Sequence, residues 1–76
     1  MTILIVDDHP IVRKGIHALL ASAFADAEVM DASCLKEAEE ACSTRDVNIM
    51  ITDLDLNGES GLTLIRRVRD ILPSLQ

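Results

Sequence analysis

The sequence predicts an α/β fold, a single parallel sheet built from three consecutive β-α units. Three observations predict it. Short runs of aliphatic and β-branched residues alternate with longer segments of helical periodicity, in the order β-α-β-α-β-α. Strands joined by helix-length connections imply right-handed crossovers and parallel pairing. Apolar residues are 49% of the chain and charged residues 26%, a globular rather than a disordered composition.

The elements follow in order. Thr2–Val6, TILIV, is a continuous apolar run that reads as a strand buried on both faces. It stops at Asp7 and Asp8. Pro10 suits the first turn of a helix, where its missing N–H costs nothing. Ile11, Val12, Gly15, Ile16, Leu19, Leu20 and Ala23 then recur at helical spacing, which predicts a first helix over 10–24 with that stripe facing the core. Glu28–Ala32, EVMDA, reads as a second, weaker strand of edge character. Ser33 is the candidate N-cap of a second helix through Leu35, Ala38, Glu39, Ala41 and Cys42. Residues 47–52, VNIMIT, form the third strand, with Asp53 at its end. Residues 55–60 have turn chemistry, and Ser60 is the candidate cap of a third helix. Leu62, Leu64, Ile65, Val68, Ile71 and Leu72 line that helix, and Pro73 ends it. No repeat, linker or low-complexity segment divides the chain, so residues 1–76 read as one domain.

Composition excludes several functions. The formal net charge is -6 and the sequence pI is about 4.6, which does not steer toward nucleic acid. Arg66, Arg67 and Arg69 read as the solvated face of a helix. They lack interleaved aromatics on which bases would stack, and Phe24 is the single aromatic residue. Cys34 and Cys42, placed on one helix, would stand about 12 Å apart along its axis. A disulfide needs Cα atoms within about 7 Å. Reduced thiols and a cytoplasmic location are expected. The apolar runs are too short to span a bilayer, and the N-terminus has no basic region of a signal peptide.

The chemistry lies in Asp7, Asp8 and Asp53, each at the carboxyl end of a predicted buried strand. In open α/β sheets ligands bind outside that edge, at the point where neighbouring helices leave on opposite faces. If strand one lies between strands two and three, that point falls between strands one and three. With strands about 4.8 Å apart, three carboxylates crowd into one pocket. Like charges oppose full ionisation, and a hard dication with oxygen ligands removes the conflict. Mg2+ suits such a site, and an aspartate can act there as nucleophile toward a phosphoryl group. An aspartate after a strand also serves as a helix cap or turn residue. The joint placement of all three favours the pocket. The stretch from Asp53 to Gly58 matches the opening of an EF-hand loop, but its twelfth position is Leu64 rather than glutamate.

These residues resemble a known family. ILIVDDHPIVRKGI, with ITDLDLNGESG after the third strand, is similar to the receiver domain of two-component response regulators, in the same order and spacing along the whole chain. DDHP followed by VRKG resembles the subfamily that carries a helix-turn-helix DNA-binding output domain. The resemblance implies a three-layer, flavodoxin-like parallel sheet with strand order 2-1-3, truncated to β-α-β-α-β-α. It implies that Asp53 is the phosphoacceptor and that Mg2+ is held by Asp8, Asp53 and the backbone carbonyl of Asp55, with Asp7 acting through water. Gly61 matches the glycine that opens the third helix. The phosphodonor would be a histidine kinase or a small phosphodonor. The domain would be an acceptor rather than an enzyme, regulating an output such as transcription.

Two departures stand out. The family usually has proline where Asn57 stands. The sequence given also ends at Gln76, where the resemblance places the start of a fourth strand. A partial receiver domain is therefore expected, without the hydroxyl residue of the fourth strand, the lysine of the fifth, or the last helices. The third strand would then be an apolar edge, a template for pairing. A homodimer through that edge is expected, with no direct nucleic-acid contact by this segment and no membrane partner. The alternatives are a phosphorylation-incompetent half-receiver acting as a dimerisation or interaction module, and, more remotely, a metal-dependent phosphohydrolase.

Overall fold

The structure, a computed structural model, describes residues 1–53, 55–56 and 58–71. In chain order the elements are β1 (Thr2–Val6), α1 (Pro10–Ala23), β2 (Glu28–Ala32), α2 (Leu35–Thr44), β3 (Ile49–Thr52), β4 (Asp55–Leu56), β5 (Glu59–Ser60) and α3 (Gly61–Ile71). The main sheet is parallel with order β2-β1-β3. The predicted fold class and strand order are therefore observed.

The register explains why β1 is the most apolar strand. It is central, so both of its edges are paired and both of its faces are covered. Ile3, Leu4, Ile5 and Val6 are all at most 2% exposed. Burying each such side chain contributes about 1.5–3 kcal/mol before the entropy of ordering is set against it. Side chains alternate along a strand, and residues paired in register share a face. Leu4 and Val6 therefore lie with Met30, Ala32 and Met50 on one face. Ile3 and Ile5 lie with Val29, Asp31, Ile49 and Ile51 on the other.

The first face is closed by α2 and α3. Ala38, Ala41 and Cys42 of α2 and Leu64 and Val68 of α3 join Leu4, Val6, Ala32, Val47 and Leu56 in one buried cluster. The second face carries α1, which packs on β2 and β1.

Several boundaries differ from the sequence reading. The third strand begins at Ile49 rather than at residue 47. Val47 is buried in the core, while the Asn48 N–H donates to the Thr2 carbonyl. The N-cap of α2 is Cys34, not Ser33. Ser33 is instead held from inside the helix, where Glu37 Oε1 accepts from its N–H at 2.7 Å and from its Oγ at 2.6 Å. The expected turn over 55–60 contains a two-residue antiparallel pair, β4 with β5, with Gly58 at φ 92°. That left-handed backbone favours glycine. Ser60 does cap α3, its Oγ accepting from the Thr63 N–H at 3.4 Å. Leu72 and Pro73 lie outside the described residues. The largest correction concerns α1. None of its residues is buried, and Ile11 and Leu19 are 86% and 72% exposed. Its apolar stripe is wider than the sheet surface it meets.

Candidate functional site

The carboxyl edge of the sheet brings the three predicted aspartates together. The ladder places them. The Asp7 N–H donates to the Ala32 carbonyl and the Asp53 N–H to the Val6 carbonyl, each at 3.0 Å. Both residues thus continue the pairing of β1 one step past its neighbours, and their side chains rise from adjacent strand ends. Asp8 follows in the turn before α1. One carboxylate oxygen from each of Asp7, Asp8 and Asp53, with a ring nitrogen of His9, lie within 4.8 Å of one another.

Sequence reasoning assigned His9 no role, yet it is central to the geometry. Its backbone caps α1 without a side-chain capping bond. The His9 N–H and Nδ1 each lie 2.8 Å from Asp7 Oδ1. Nδ1 is also 3.0 Å from Asp8 Oδ1. A single Nδ1 hydrogen satisfies one acceptor only. Asp8 Oδ1 is out of contact with solvent and has no hydrogen-bond partner among the described residues. Arg13, one turn into α1, was missed as well. Its guanidinium donates to the Asp7 carbonyl at 2.7 Å and fixes the turn that carries both acids. The available signal was position: His9 directly follows the acidic pair, and Arg13 lies one helical turn beyond it.

Electrostatics follow from these contacts. Burial pushes the Asp7 carboxyl up. The hydrogen bonds from the His9 N–H and ring, and the charges of His9 and Arg13, outweigh burial and hold it below the ordinary carboxylate value. The hydrogen bond to Asp7, followed by the charge of Asp8, raises the His9 imidazole above its usual value. In this state His9 and Arg13 partly balance three convergent acids.

Asp55 opens β4, two positions past Asp53, opposite Ser60. The EF-hand alternative is excluded, because Leu64 at its twelfth position is fully buried among the core residues.

An acidic pocket at the end of a β2-β1-β3 sheet agrees with the comparisons. The family model "Response regulator receiver domain" matches residues 3–76. The chain belongs to the response regulator receiver family. The transcriptional activator protein ExaE of Pseudomonas putida is 38% identical over 76 residues, covering 100% of this chain and 36% of that protein. The response regulator UvrY of Escherichia coli K12 is 34% identical over 68 residues, covering 90% and 31%. This receiver chain therefore spans about a third of the length of these relatives. Among solved structures, RcsB from Salmonella enterica serovar Typhimurium, bound to promoter rprA with the phosphomimetic BeF3-, superposes with TM-score 0.83 at 32% identity, over 99% of this chain and 39% of that one. A response regulator from Burkholderia pseudomallei, with a phosphorylated aspartic acid, calcium ion and citrate, gives TM-score 0.79 at 25% identity, over 99% and 43%. Among the described residues, no helix of this receiver is long and apolar enough to cross a membrane.

Proposed function

We propose that the chain is a phosphoacceptor domain that receives a phosphoryl group from a histidine kinase on Asp53, with Mg2+, and so regulates an output; the name of its relative, a transcriptional activator, supports transcription as that output. The observation that carries this reading is the convergence of Asp7, Asp8 and Asp53 oxygens within 4.8 Å at one sheet edge. The donor set fits a hard dication, and the buried, unpartnered Asp8 Oδ1 is a lone pair for it. Asp8, Asp53 and the backbone carbonyl of Asp55 would hold Mg2+, with Asp7 acting through water. Bound there, Mg2+ neutralises charge on the carboxylates and on the incoming phosphoryl oxygens.

The chain's own residues do the rest. A carboxylate oxygen of Asp53 attacks phosphorus, a new O–P bond forms, and the bond from phosphorus to the kinase histidine breaks, its electron pair returning to that imidazole. The Asp53 N–H bond to Val6 holds the nucleophile's backbone against the sheet. Arg13 holds the Asp7–Asp8 turn. The domain is an acceptor consumed in one transfer, not an enzyme with a separate substrate, and it works in the cytoplasm.

Incubation with acetyl phosphate and Mg2+, followed by intact-mass measurement, tests this. The expected result is a gain of one phosphoryl group, lost in Asp53→Asn. An unchanged wild-type mass, or an adduct that survives Asp53→Asn, rejects it.

A second reading rests on β3. It is the edge of the sheet among the described residues, and its Ile51 is 39% exposed. On this reading two copies pair through β3, and the chain serves as a dimerisation module. Light scattering at micromolar concentration should then give a dimer that Ile51→Lys dissociates. A monomeric wild type excludes it.

A further inference from the structure

Arg13 grips the turn that carries Asp7 and Asp8 with both its backbone and its side chain. The Arg13 N–H donates to the His9 carbonyl at 3.0 Å, closing the first turn of α1. Its guanidinium reaches further back and donates to the Asp7 carbonyl at 2.7 Å. That carbonyl and the Asp8 N–H belong to one rigid planar peptide. Holding the oxygen therefore sets the direction in which the chain enters Asp8. On the other side of Asp7, its N–H is fixed to the Ala32 carbonyl of β2. The peptide before Asp7 is thus set by the sheet, and the peptide after it by α1.

Asp8 depends on that second peptide more than Asp7 does. Asp7 Oδ1 accepts from the His9 N–H at 2.8 Å, so its carboxylate is oriented by a contact of its own. The buried Oδ1 of Asp8 has no hydrogen bond among the described residues. Its aim follows from its backbone. The helix that supplies Arg13 lies outside the core. None of α1's residues is buried, and polar contacts such as Arg13 with Asp7 and His17 with Asp31 tie it to the strands.

We propose that Arg13 is a positioning residue: through the Asp7–Asp8 peptide it aims the Asp8 carboxylate at the cation, and so couples the seating of α1 to Mg2+ affinity. The inference rests on the Mg2+ reading given above and adds a residue that touches neither the ion nor the phosphoryl group. Losing a partner that orients a metal ligand costs about 10–100-fold in affinity. Charge acts with the opposite sign. A guanidinium beside three convergent acids repels a dication, so removing its charge alone would strengthen binding. The direction of the change therefore separates aiming from electrostatics. The coupling is also reciprocal: what α1 contributes to Mg2+ binding, Mg2+ returns to the seating of α1.

The test is calorimetric titration of the whole chain with MgCl2 for the wild type, Arg13→Met, Arg13→Lys and Lys14→Met. Lys14 is the control, an exposed cation on the same helix. Mg2+ affinity should fall by about tenfold or more in Arg13→Met. It should recover in part in Arg13→Lys, which keeps a donor and the charge, and stay at or above the wild-type value in Lys14→Met. Amide hydrogen exchange gives a second readout. Saturating Mg2+ should slow exchange along α1 in the wild type, less in Arg13→Lys and least in Arg13→Met. If circular dichroism shows Arg13→Met unfolded, the exchange comparison of the wild type with Arg13→Lys decides. An affinity in folded Arg13→Met equal to or above the wild type, or Mg2+ protection of α1 that is absent in the wild type or undiminished in Arg13→Lys, overturns the proposal and leaves the Mg2+ reading standing. A wild type that takes up no Mg2+ overturns both.

Discussion

The two faces of the sheet are built from the same three strands, yet they are finished to different degrees. On the Leu4–Val6 face, α2 and α3 pack against each other and against the sheet, and Ala38, Cys42, Leu64 and Val68 are buried to 2% exposure or less. On the Ile3–Ile5 face a single helix, α1, covers β1 and β2. Ile51 of β3 remains 39% exposed, and Ile11 and Leu19 of α1 project into solvent. Two helices form a closed layer over three strands. One helix, about 10 Å wide, does not reach the third strand of a sheet spaced at about 4.8 Å. The aspartate pocket lies where the two layers part, at the carboxyl edge.

The largest effect that would break this comparison is a cavity in the closed face. Leu64→Ala should destabilise the chain by about 2–5 kcal/mol. A domain of this size has only about 4–11 kcal/mol in all. Urea unfolding followed by circular dichroism should show a midpoint shifted well down or a lost transition. A change near zero would mean that the buried cluster does not carry the fold. Ile11→Ser on the open face should move the same midpoint by no more than about 0.5 kcal/mol. A loss comparable to that of Leu64→Ala would show that α1's outer stripe is covered in solution.

Thiol chemistry sharpens the contrast without touching stability. Cys42 is buried in the closed layer, and burial raises its thiol above the ordinary value, whereas Cys34 at the start of α2 is half-buried. Iodoacetamide should modify Cys34 first and Cys42 only at the rate of unfolding. Equal rates would contradict the closed layer. The smallest effect concerns the entry to α2. Hydrogen bonds from the Ser33 hydroxyl and N–H hold the Glu37 carboxyl below its ordinary 4.5. A depressed carboxylate contributes stability that is present above the unfolded value and lost as pH falls through the folded one. Glu37→Gln should therefore remove a small part of the acid dependence of stability below about pH 4.5 and leave the rest. An unchanged acid limb in that variant would mean the Ser33 contacts are not kept in solution.

Much of the fold was legible because its signals are local and periodic. TILIV marks the central strand, since only a strand with both faces covered is apolar throughout. Pro10 marks the start of α1. Asp7, Asp8 and Asp53 were found because each ends a strand, and parallel strands align their carboxyl ends. The short β4–β5 pair was hidden, because two-residue strands have no period to detect. His9 was overlooked because a histidine at a helix start has no distinctive pattern, and its meaning comes from an oxygen 2.8 Å away.

By itself, then, the chain's order of residues determined the β-α succession, the apolar centre and which acids would end the strands, because backbone propensity and hydrophobic period act over a few residues. Tertiary packing alone decided that α1's stripe would stay largely exposed and that Asp8 would keep a buried oxygen without a hydrogen bond. Those outcomes depend on distances between segments far apart in sequence, and no local pattern encodes them.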